Sequence, residues 1–385
     1  MKLISALTIL TTLCCVALSV NAAEPLTKVS KVIVLPENAL HPDGMTVNPK
    51  TSDIILAVPV IGDKGNAQLL KITKDDAVEP YYELPAHTET GRVTPLGISF
   101  GPDGNLYIAD SQCLGGNPNH KSRLLRVVHE NGKPVRDEVL VTGITLANGF
   151  EIFGNKIYIA ETQIDPVIVE MPMTSGVFVF DINEFKTGRQ AGDRTLSLRL
   201  NRLATVAGTK TLHVQPYGKD PHFIFSFKTG ENDKNAQKVG ANGIGLSKDG
   251  TLYIANFGDK KVIEVKLAKD GKTVVSHKDI NDGKGPNESV DGLKVCPKGY
   301  IFFADYVGNA VCVMNPANGK TVVIAKNATN PSEAEKKAGA LDRCSEVCLR
   351  GDKLYVSNID LEDTSKPHTV GVIDLQGIDF DALLK

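Results

Sequence analysis

The sequence predicts an all-β fold, a six-bladed β-propeller with four antiparallel strands in each blade. Three observations lead to this prediction: a five-residue phrase that occurs six times, a hairpin after each phrase, and nearly even spacing between the phrases. Four-stranded units repeated in this way close into a ring that leaves only short strand edges. A β-sandwich or two separate β domains would not explain six matching phrases.

Each phrase is a short strand in which apolar residues alternate with other residues, and most phrases begin with a polar residue followed by glycine. The six phrases are residues 43–47, 96–100, 148–152, 242–246, 291–295 and 345–349. Four of the five intervals between their first residues are 49 to 54 residues long, and the third interval is 94 residues long. The phrases therefore predict the first strand of each of six blades.

The remaining strands of each blade follow its phrase. Second strands are predicted at residues 106–109, 156–160, 252–255, 301–304 and 354–357. Third strands are predicted at residues 124–128, 176–180, 262–265, 310–314 and 369–373, and outer strands at 139–142, 273–276 and 321–325. The sixth copy has only three strands, and an unassigned strand at residues 29–35 precedes the first phrase. We expect this N-terminal strand to complete the last blade and so to close the ring.

The chain is expected to contain one domain after a cleaved leader. Residues 1–22 have a basic start, an apolar run and small residues before Ala23, which is typical of a secretory signal peptide and predicts a secreted or periplasmic protein. A membrane anchor is the alternative for the same stretch. Residues 23–385 would form the propeller, and the long third interval predicts an insertion at about residues 185–238. This insertion either reaches over one face of the ring or is an idle surface excursion.

Composition limits the possible partners. The chain has 43 basic and 45 acidic residues, so a nucleic-acid-binding surface is not expected. We expect a monomer that has no membrane association after signal cleavage. The mature chain has five cysteines, which are too few and too unevenly spaced for a disulfide framework. Buried thiols or a single disulfide are favoured over metal or redox chemistry at Cys344 and Cys348.

The first residues of the six phrases should meet as a ring, because the first strand of every propeller blade lines the central channel. These residues are Asp43, Leu96, Asn148, Asn242, Asp291 and Ser345. Two carboxylates and two carboxamides supply the hard oxygen ligands that Ca²⁺ prefers, whereas zinc would require histidine or thiolate. We therefore predict that Asp43, Asn148, Asn242 and Asp291 bind Ca²⁺ or another divalent cation. The alternative is that Asn-Gly and Asp-Gly recur for their turn-forming backbone angles.

Longer stretches around these positions resemble the SMP-30/gluconolactonase family, which is related to paraoxonases and the squid-type phosphofluoridase. The stretches are residues 147–149, 241–244 with 252–258, and 290–293 with 303–306. The resemblance covers nearly all of the mature chain except the insertion. It implies a six-bladed propeller with a catalytic divalent ion held by an acid of the first blade, amides of the third and fourth, and an acid of the fifth. Asp43 departs from the family pattern, in which the first-blade ligand is usually glutamate.

The sequence thus predicts a Ca²⁺-dependent hydrolase of a small cyclic ester, such as a sugar lactone. The resemblance implies Asp291 as the catalytic base or nucleophile. Glu346 is a second candidate base because it follows the sixth ring position and has no assigned metal role, and His213 and His222 rank behind it. Two alternatives remain open: a propeller that binds a ligand or protein partner around a structural metal, and a metal-free enzyme of the strictosidine-synthase kind. The four oxygen side chains argue against the second alternative.

Overall fold

The computed structural model describes residues 24–114, 120–164, 171–185, 196–197, 220–233, 235–327, 334, 341–361 and 368–385. Its strands, numbered β1 to β25 in chain order, form six sheets around a central channel, and the four strands of each blade are antiparallel. The six-bladed propeller predicted from the repeated phrases is therefore confirmed. Among the described residues, no helix is long and apolar enough to cross a bilayer.

In the first five blades the strands run outward from the channel in chain order, whereas the N-terminal strand is the outermost strand of the sixth blade. The first three blades consist of β2 (Met45–Val47), β3 (Ile54–Val58), β4 (Ala67–Ile72) and β5 (Val78–Leu84); β6 (Pro95–Phe100), β7 (Leu106–Asp110), β8 (Ser122–Glu130) and β9 (Lys133–Ile144); and β10 (Ala147–Phe153), β11 (Lys156–Glu161), β12 (Met173–Asp181) and β14 (Phe223–Thr229). The fourth and fifth blades consist of β15 (Ala241–Leu246), β16 (Leu252–Asn256), β17 (Lys261–Leu267) and β18 (Val274–Asp279); and β19 (Leu293–Val295), β20 (Ile301–Asp305), β21 (Ala310–Met314) and β22 (Thr321–Lys326). The sixth blade consists of β23 (Cys344–Arg350), β24 (Lys353–Asn358), β25 (Thr369–Asp374) and β1 (Lys31–Val34).

The third blade takes its outer strand from within the range predicted as an insertion. Strand β14 (Phe223–Thr229) pairs with β12 in antiparallel register, so this part of the long interval belongs to the blade itself. The two-residue strand β13 (Leu196–Ser197) pairs in parallel with β9 of the second blade. A 3₁₀ helix (Ile182–Phe185) follows β12. Residues 186–195 and 198–219, the rest of the predicted insertion, lie outside the described residues, as do residues 1–23.

The hydrophobic core is divided among the interfaces between blades. In the part of the chain that the structure describes, six clusters of buried apolar side chains occur, one between each pair of neighbouring blades. The alternation of each strand places apolar residues against the adjacent blade on both faces. The blades therefore depend on one another for burial.

Strand β1 closes the ring as predicted. It pairs with β25 in antiparallel register, with Ile33 opposite Val370. Ile33 is 5% exposed and packs into the cluster between the sixth and first blades, whereas Val34 is 62% exposed. Just before β1, the N–H of Thr27 donates to the carbonyl of Ile324 in the fifth blade, at 2.9 Å. The N-terminal segment thus joins the last two blades to the first.

A charged contact reinforces this closure. Asp76, in the turn between β4 and β5 of the first blade, pairs with Arg350 at 2.6 Å and with Lys31 at 2.7 Å, both from the sixth blade. The hydroxyl of Tyr355 also donates to Asp76, at 2.7 Å. Although burial alone would raise it, the pKa of Asp76 is lowered by these partners. The carboxylate therefore stays ionised and links the two ends of the chain.

The five cysteines among the described residues are free thiols in the structure. Cys344 and Cys348 both lie on β23, but Cys344 belongs to the cluster between the fifth and sixth blades and Cys348 to the cluster between the sixth and first. Cys312 is also fully buried. These three thiols pack as small apolar side chains, in line with the predicted buried thiols.

Because Ile33 contributes to the closing interface, Ile33→Ala should lower the free energy of unfolding by about 2–4 kcal/mol. Val34→Ala is the matched control on the solvent face of the same strand and should change it by less than about 0.5 kcal/mol. Urea denaturation followed by circular dichroism measures both. Equal losses for the two variants would show that β1 does not close the ring in this register.

Candidate active site

Every first strand carries a β-bulge where its phrase begins. In the first blade, the N–H of Asp43 donates to the carbonyl of Ala57 at 3.0 Å, and the N–H of Ala57 donates to the carbonyl of Gly44 at 2.8 Å. In the fifth blade, the N–H of Asp291 donates to the carbonyl of Ala304, and the N–H of Ala304 donates to the carbonyl of Gly292, both at 2.9 Å. The other four first strands show a register shift at the same place. Two residues of the first strand thus lie opposite one residue of the second strand. Such a bulge changes the direction of the side chain at this position.

The residue that faces each bulge on the second strand is small. The six facing residues are Ala57, Ala109, Ala160, Ala255, Ala304 and Ser357. Each of them is buried. Small side chains here let the bulged backbone lie close to the second strand, so all six blades hold their ring residue in one geometry.

Glycines next to the ring positions set the distance between neighbouring first strands. A Cβ added at Gly243 would lie 2.5 Å from the carbonyl oxygen of Asp291 in the next blade. The equivalent glycine of each of the first five blades behaves in the same way: an added Cβ would lie less than 3.0 Å from the carbonyl oxygen of the ring residue in the next blade. These glycines are Gly44, Gly97, Gly149, Gly243 and Gly292. The N–H of Gly292 donates to the carbonyl of Ser345 at 2.8 Å. The hydroxyl of Ser345 then donates to the carbonyl of Pro42 at 3.4 Å and returns the ring to the first blade.

These glycines are not turn residues. Those five glycines do not adopt a positive φ, whereas Gly104 and Gly250, in the hairpin turns that follow the phrases, have φ values of 77° and 80°. The Asn-Gly and Asp-Gly pairs therefore recur because first strands approach closely, and not because the backbone needs a left-handed conformation. The five glycines thus lack the left-handed conformation that Asn-Gly and Asp-Gly adopt in tight hairpin turns.

Three carboxylates lie near one another at the ring. Asp291 and Glu346 are each 7% exposed, and Asp43 is half-buried. Burial raises the pKa of Asp291 well above its ordinary value, and the charges of Asp43 and Glu346 raise it further. Burial also raises the pKa of Asp43 to about 6, although a hydrogen bond with Ser345 partly opposes this. Each buried negative charge therefore destabilises the others in the absence of a cation.

The donor set at the ring suits a hard divalent cation. Asn148 is half-buried and Asn242 is 8% exposed, and within the described residues no protein hydrogen bond engages either amide side chain. In the same part of the chain, neither Asp43 nor Asp291 forms a salt bridge. No three histidine, cysteine or acidic side chains there form a metal centre by themselves. A cation at this position would thus rely on two carboxylates together with the two amides.

A charged pair that was not predicted from the sequence lies farther along the channel. Lys294 of the fifth blade donates to Glu151 of the third at 3.3 Å, although the fourth blade lies between them in the ring. The pair therefore spans the channel. Both residues stand three positions after their ring residues, so counting along the repeated phrase would have found them. Burial raises the pKa of Glu346 to about 7, and Lys294 opposes this effect.

Polar residues at the ends of the second strands have a structural role. Glu161 accepts hydrogen bonds from the N–H groups of Thr145 at 2.9 Å and Leu146 at 2.6 Å. Asp305 likewise accepts from the N–H and the hydroxyl of Ser289, both at 2.8 Å. These carboxylates fix the segments that lead into the next phrase. These contacts help to position the ring residues, although the two carboxylates are not ring residues themselves.

The other sequence candidates lie apart from the ring or outside the described residues. Leu96, the ring residue of the second blade, is 1% exposed and offers no ligand. His222 lies on the outer part of the third blade, where it contacts Asp220 and Glu184 at 3.0 Å each. Its ring stacks on Phe180. His213 lies outside the described residues. Among the candidate bases that the structure describes, Asp291 and Glu346 are the two at the ring.

Adding a methyl group at Gly243 should force neighbouring first strands apart. Gly243→Ala would place Cβ 2.5 Å from both the carbonyl oxygen of Asp291 and the nitrogen of Leu293, so we expect it to lower the free energy of unfolding by about 1–3 kcal/mol. In the control Gly371→Ala, the nearest atoms are 3.6 Å away and stability should hardly change. Chemical denaturation of both variants measures the difference. An unchanged stability of Gly243→Ala would contradict the close contact.

Comparisons with known proteins agree with this architecture. The family model described as the SMP-30/Gluconolactonase/LRE-like region matches residues 205–334, which include Asn242 and Asp291. A search of curated protein sequences gave no match.

Solved structures similar to this chain include a calcium-binding protein, regucalcin, from Agrobacterium tumefaciens, with 13% identity, 91% of this chain and 94% of that chain covered, and a TM-score of 0.54. A gluconolactonase from Xanthomonas campestris has 10% identity, coverage of 90% and 91%, and a TM-score of 0.51. A luciferin-regenerating enzyme has 12% identity, coverage of 90% and 96%, and a TM-score of 0.52. At these identities the structures establish the shared propeller fold. The predicted resemblance is confirmed: this chain is a six-bladed propeller that carries an SMP-30/gluconolactonase/LRE-like region.

Proposed function

We propose that this protein is a hydrolase of small lactones, such as sugar lactones, that depends on Ca²⁺ bound by Asp43, Asn148, Asn242 and Asp291. The observation that carries this proposal is the close approach of neighbouring first strands at the ring position, where the charges of Asp43 and Glu346 raise the pKa of Asp291. The match to the SMP-30/Gluconolactonase/LRE-like region supports it. The similar structures that are titled as a gluconolactonase and as a calcium-binding regucalcin point in the same direction.

The bound ion would polarise the lactone carbonyl and stabilise the charge that develops on its oxygen. Asp43 is one methylene shorter than the glutamate expected from the family, so its carboxylate reaches less far from the first strand. The two amides add oxygen ligands without adding charge. Asp43 and Asp291 together balance the charge of one divalent ion.

In the proposed reaction, Asp291 moves the proton. Its carboxylate would accept a proton from the attacking water as the new carbon–oxygen bond forms. When the ring carbon–oxygen bond of the lactone breaks, the same proton would pass to the leaving alkoxide. Glu346 lies beside Gly292, and its Oε1 accepts the N–H of Val347 at 2.9 Å. This backbone contact holds Glu346 in place, so it is the weaker candidate for carrying a proton.

Export belongs to the same proposal. Residues 1–22 have the composition of a secretory signal peptide, and a secreted or periplasmic protein would have access to calcium outside the cytoplasm. N-terminal sequencing of the protein recovered from outside the cytoplasm would test this proposal. A first residue at Ala23 supports cleavage, and an intact Met1 contradicts it.

The residue that carries the chemistry can be identified with isosteric variants. Asp291→Asn keeps an oxygen ligand but removes the basic carboxylate, so kcat on an active lactone should fall by on the order of 10²-fold or more. Glu346→Gln is the matched control and should reduce kcat far less. Steady-state kinetics with Ca²⁺, together with metal analysis of both variants, separates loss of the base from loss of the ion.

Two outcomes would contradict the proposed function in different ways. If Glu346→Gln were the more damaging change, the base would be Glu346. If the wild-type protein turned over no lactone or aryl ester in the presence of Ca²⁺, the propeller would instead be a binding module. Turnover that survives a chelator would remove the dependence on Ca²⁺ while leaving hydrolysis in place.

A further inference from the structure

Buried hydrogen-bond donors without partners gather in the second blade, where the β5–β6 connection meets the start of the β7–β8 connection. Three buried atoms there have no hydrogen-bond partner in the described structure: Arg92 Nε, Ser111 Oγ and Arg123 Nη2. Ser111 is fully buried and Arg123 is 8% exposed. Leaving a buried donor unpaired costs free energy, so such atoms normally face a ligand or an ordered water.

A rigid frame holds these donors in place. Arg123 Nε donates to Asp110 Oδ2 at 2.6 Å, and Asp110 Oδ1 also accepts the N–H of Thr94 at 2.8 Å. Gln112 Nε2 donates to the same carboxylate at 2.9 Å and to the carbonyl of Arg92 at 3.2 Å. The N–H of Ser111 donates to the carbonyl of Thr94 at 2.8 Å. Asp110 is therefore already occupied, and these contacts fix the side chain of Arg123 and the backbone of Ser111 and Arg92 around it.

The charges of this cluster do not balance. Asp110 pairs with Arg123 and Glu89 pairs with Lys121, each at 2.6 Å. Arg92 has no carboxylate within salt-bridge distance among the described residues. His87 stays neutral at physiological pH, because burial and the nearby Arg123 lower its pKa. In the described part of the chain, the positive charge of Arg92 is thus left without a carboxylate partner.

We propose that this cluster binds a small oxyanion, the carboxylate or the tetrahedral sulfate or phosphate group of a small molecule, through Arg92 Nε, Ser111 Oγ and Arg123 Nη2. An oxyanion accepts hydrogen bonds from all three donors and neutralises the remaining charge. A water molecule would accept at most two of these bonds, would need acceptors for its own hydrogens and would leave the charge in place. The site does not depend on the proposed hydrolysis.

The position of the cluster gives the site a definite place in the fold. Thr94, which is held by Asp110, immediately precedes β6, and β6 carries the ring residue Leu96. The oxyanion would therefore bind at the end of the second blade where its first strand enters the channel. The ring residue of the second blade, Leu96, is apolar and offers no ligand, whereas the ring residues of the other blades are polar.

Isothermal titration calorimetry of the full mature protein with sodium sulfate and, separately, sodium acetate tests the proposal, at constant ionic strength set with chloride. We expect saturable binding of at least one anion; the preferred one identifies a tetrahedral or a carboxylate ligand. Arg92→Gln and Ser111→Ala should each weaken that binding roughly tenfold or more. Neither change touches the Arg123–Asp110 pair, so the fold should survive. Arg136→Gln, an exposed arginine of β9, is the control and should bind like wild type.

Two results would overturn the site. One is the absence of saturable binding for both anions at millimolar concentration. The other is binding of equal strength in wild type, Arg92→Gln and Ser111→Ala, which would place the anion elsewhere. Circular dichroism of each variant checks that any loss of binding occurs in a folded protein.

Discussion

The close contact between the glycine of one first strand and the carbonyl oxygen of the next ring residue determines the geometry of the whole channel. At Gly243 and Gly292 the contact includes a backbone hydrogen bond, and at Ser345 a hydroxyl takes over to reach the first blade. A side chain at these glycines would separate the strands, because a Cβ has no room. Glycine at this position therefore specifies how close the blades come, and with it how close the ring residues lie to one another.

This closeness has an electrostatic consequence. Asp43, Asp291 and Glu346 lie at the ring, where burial raises the pKa of each; the charge of Asp43 raises the pKa of Asp291 and Glu346 further, and the charge of Glu346 raises that of Asp291. The channel holds a further acid, Glu151, but Lys294 pairs with it and also stabilises the charge of Glu346. The carboxylates of Asp43 and Asp291 have no such partner among the described residues. A divalent cation at the ring would remove this repulsion, which ties metal binding to the stability of the closed propeller.

Much of this architecture could be predicted from the sequence because the repeat has a fixed register. One phrase per blade located the first strands, and its first position identified the residues that meet at the ring. The reason for the glycines could not be predicted, since Asn-Gly and Asp-Gly also form turns and only the φ angles distinguish the two roles. The outer strand β14 (Phe223–Thr229) was assigned to an insertion because a long interval separates it from the rest of its blade. The Lys294–Glu151 pair was missed because its residues lie 143 positions apart in the sequence and meet only across the channel.

The central claim is that oxygen side chains of separate blades form one divalent-cation site because the ring brings them together. The most direct test is metal analysis by mass spectrometry of wild type and an Asn148→Ala, Asn242→Ala double variant after dialysis against trace Ca²⁺. The double variant removes two neutral ligands from two blades but keeps every carboxylate of the channel. We predict one Ca²⁺ per wild-type chain and a large loss in the double variant. Equal metal content in the two proteins would show that the ring does not form the site.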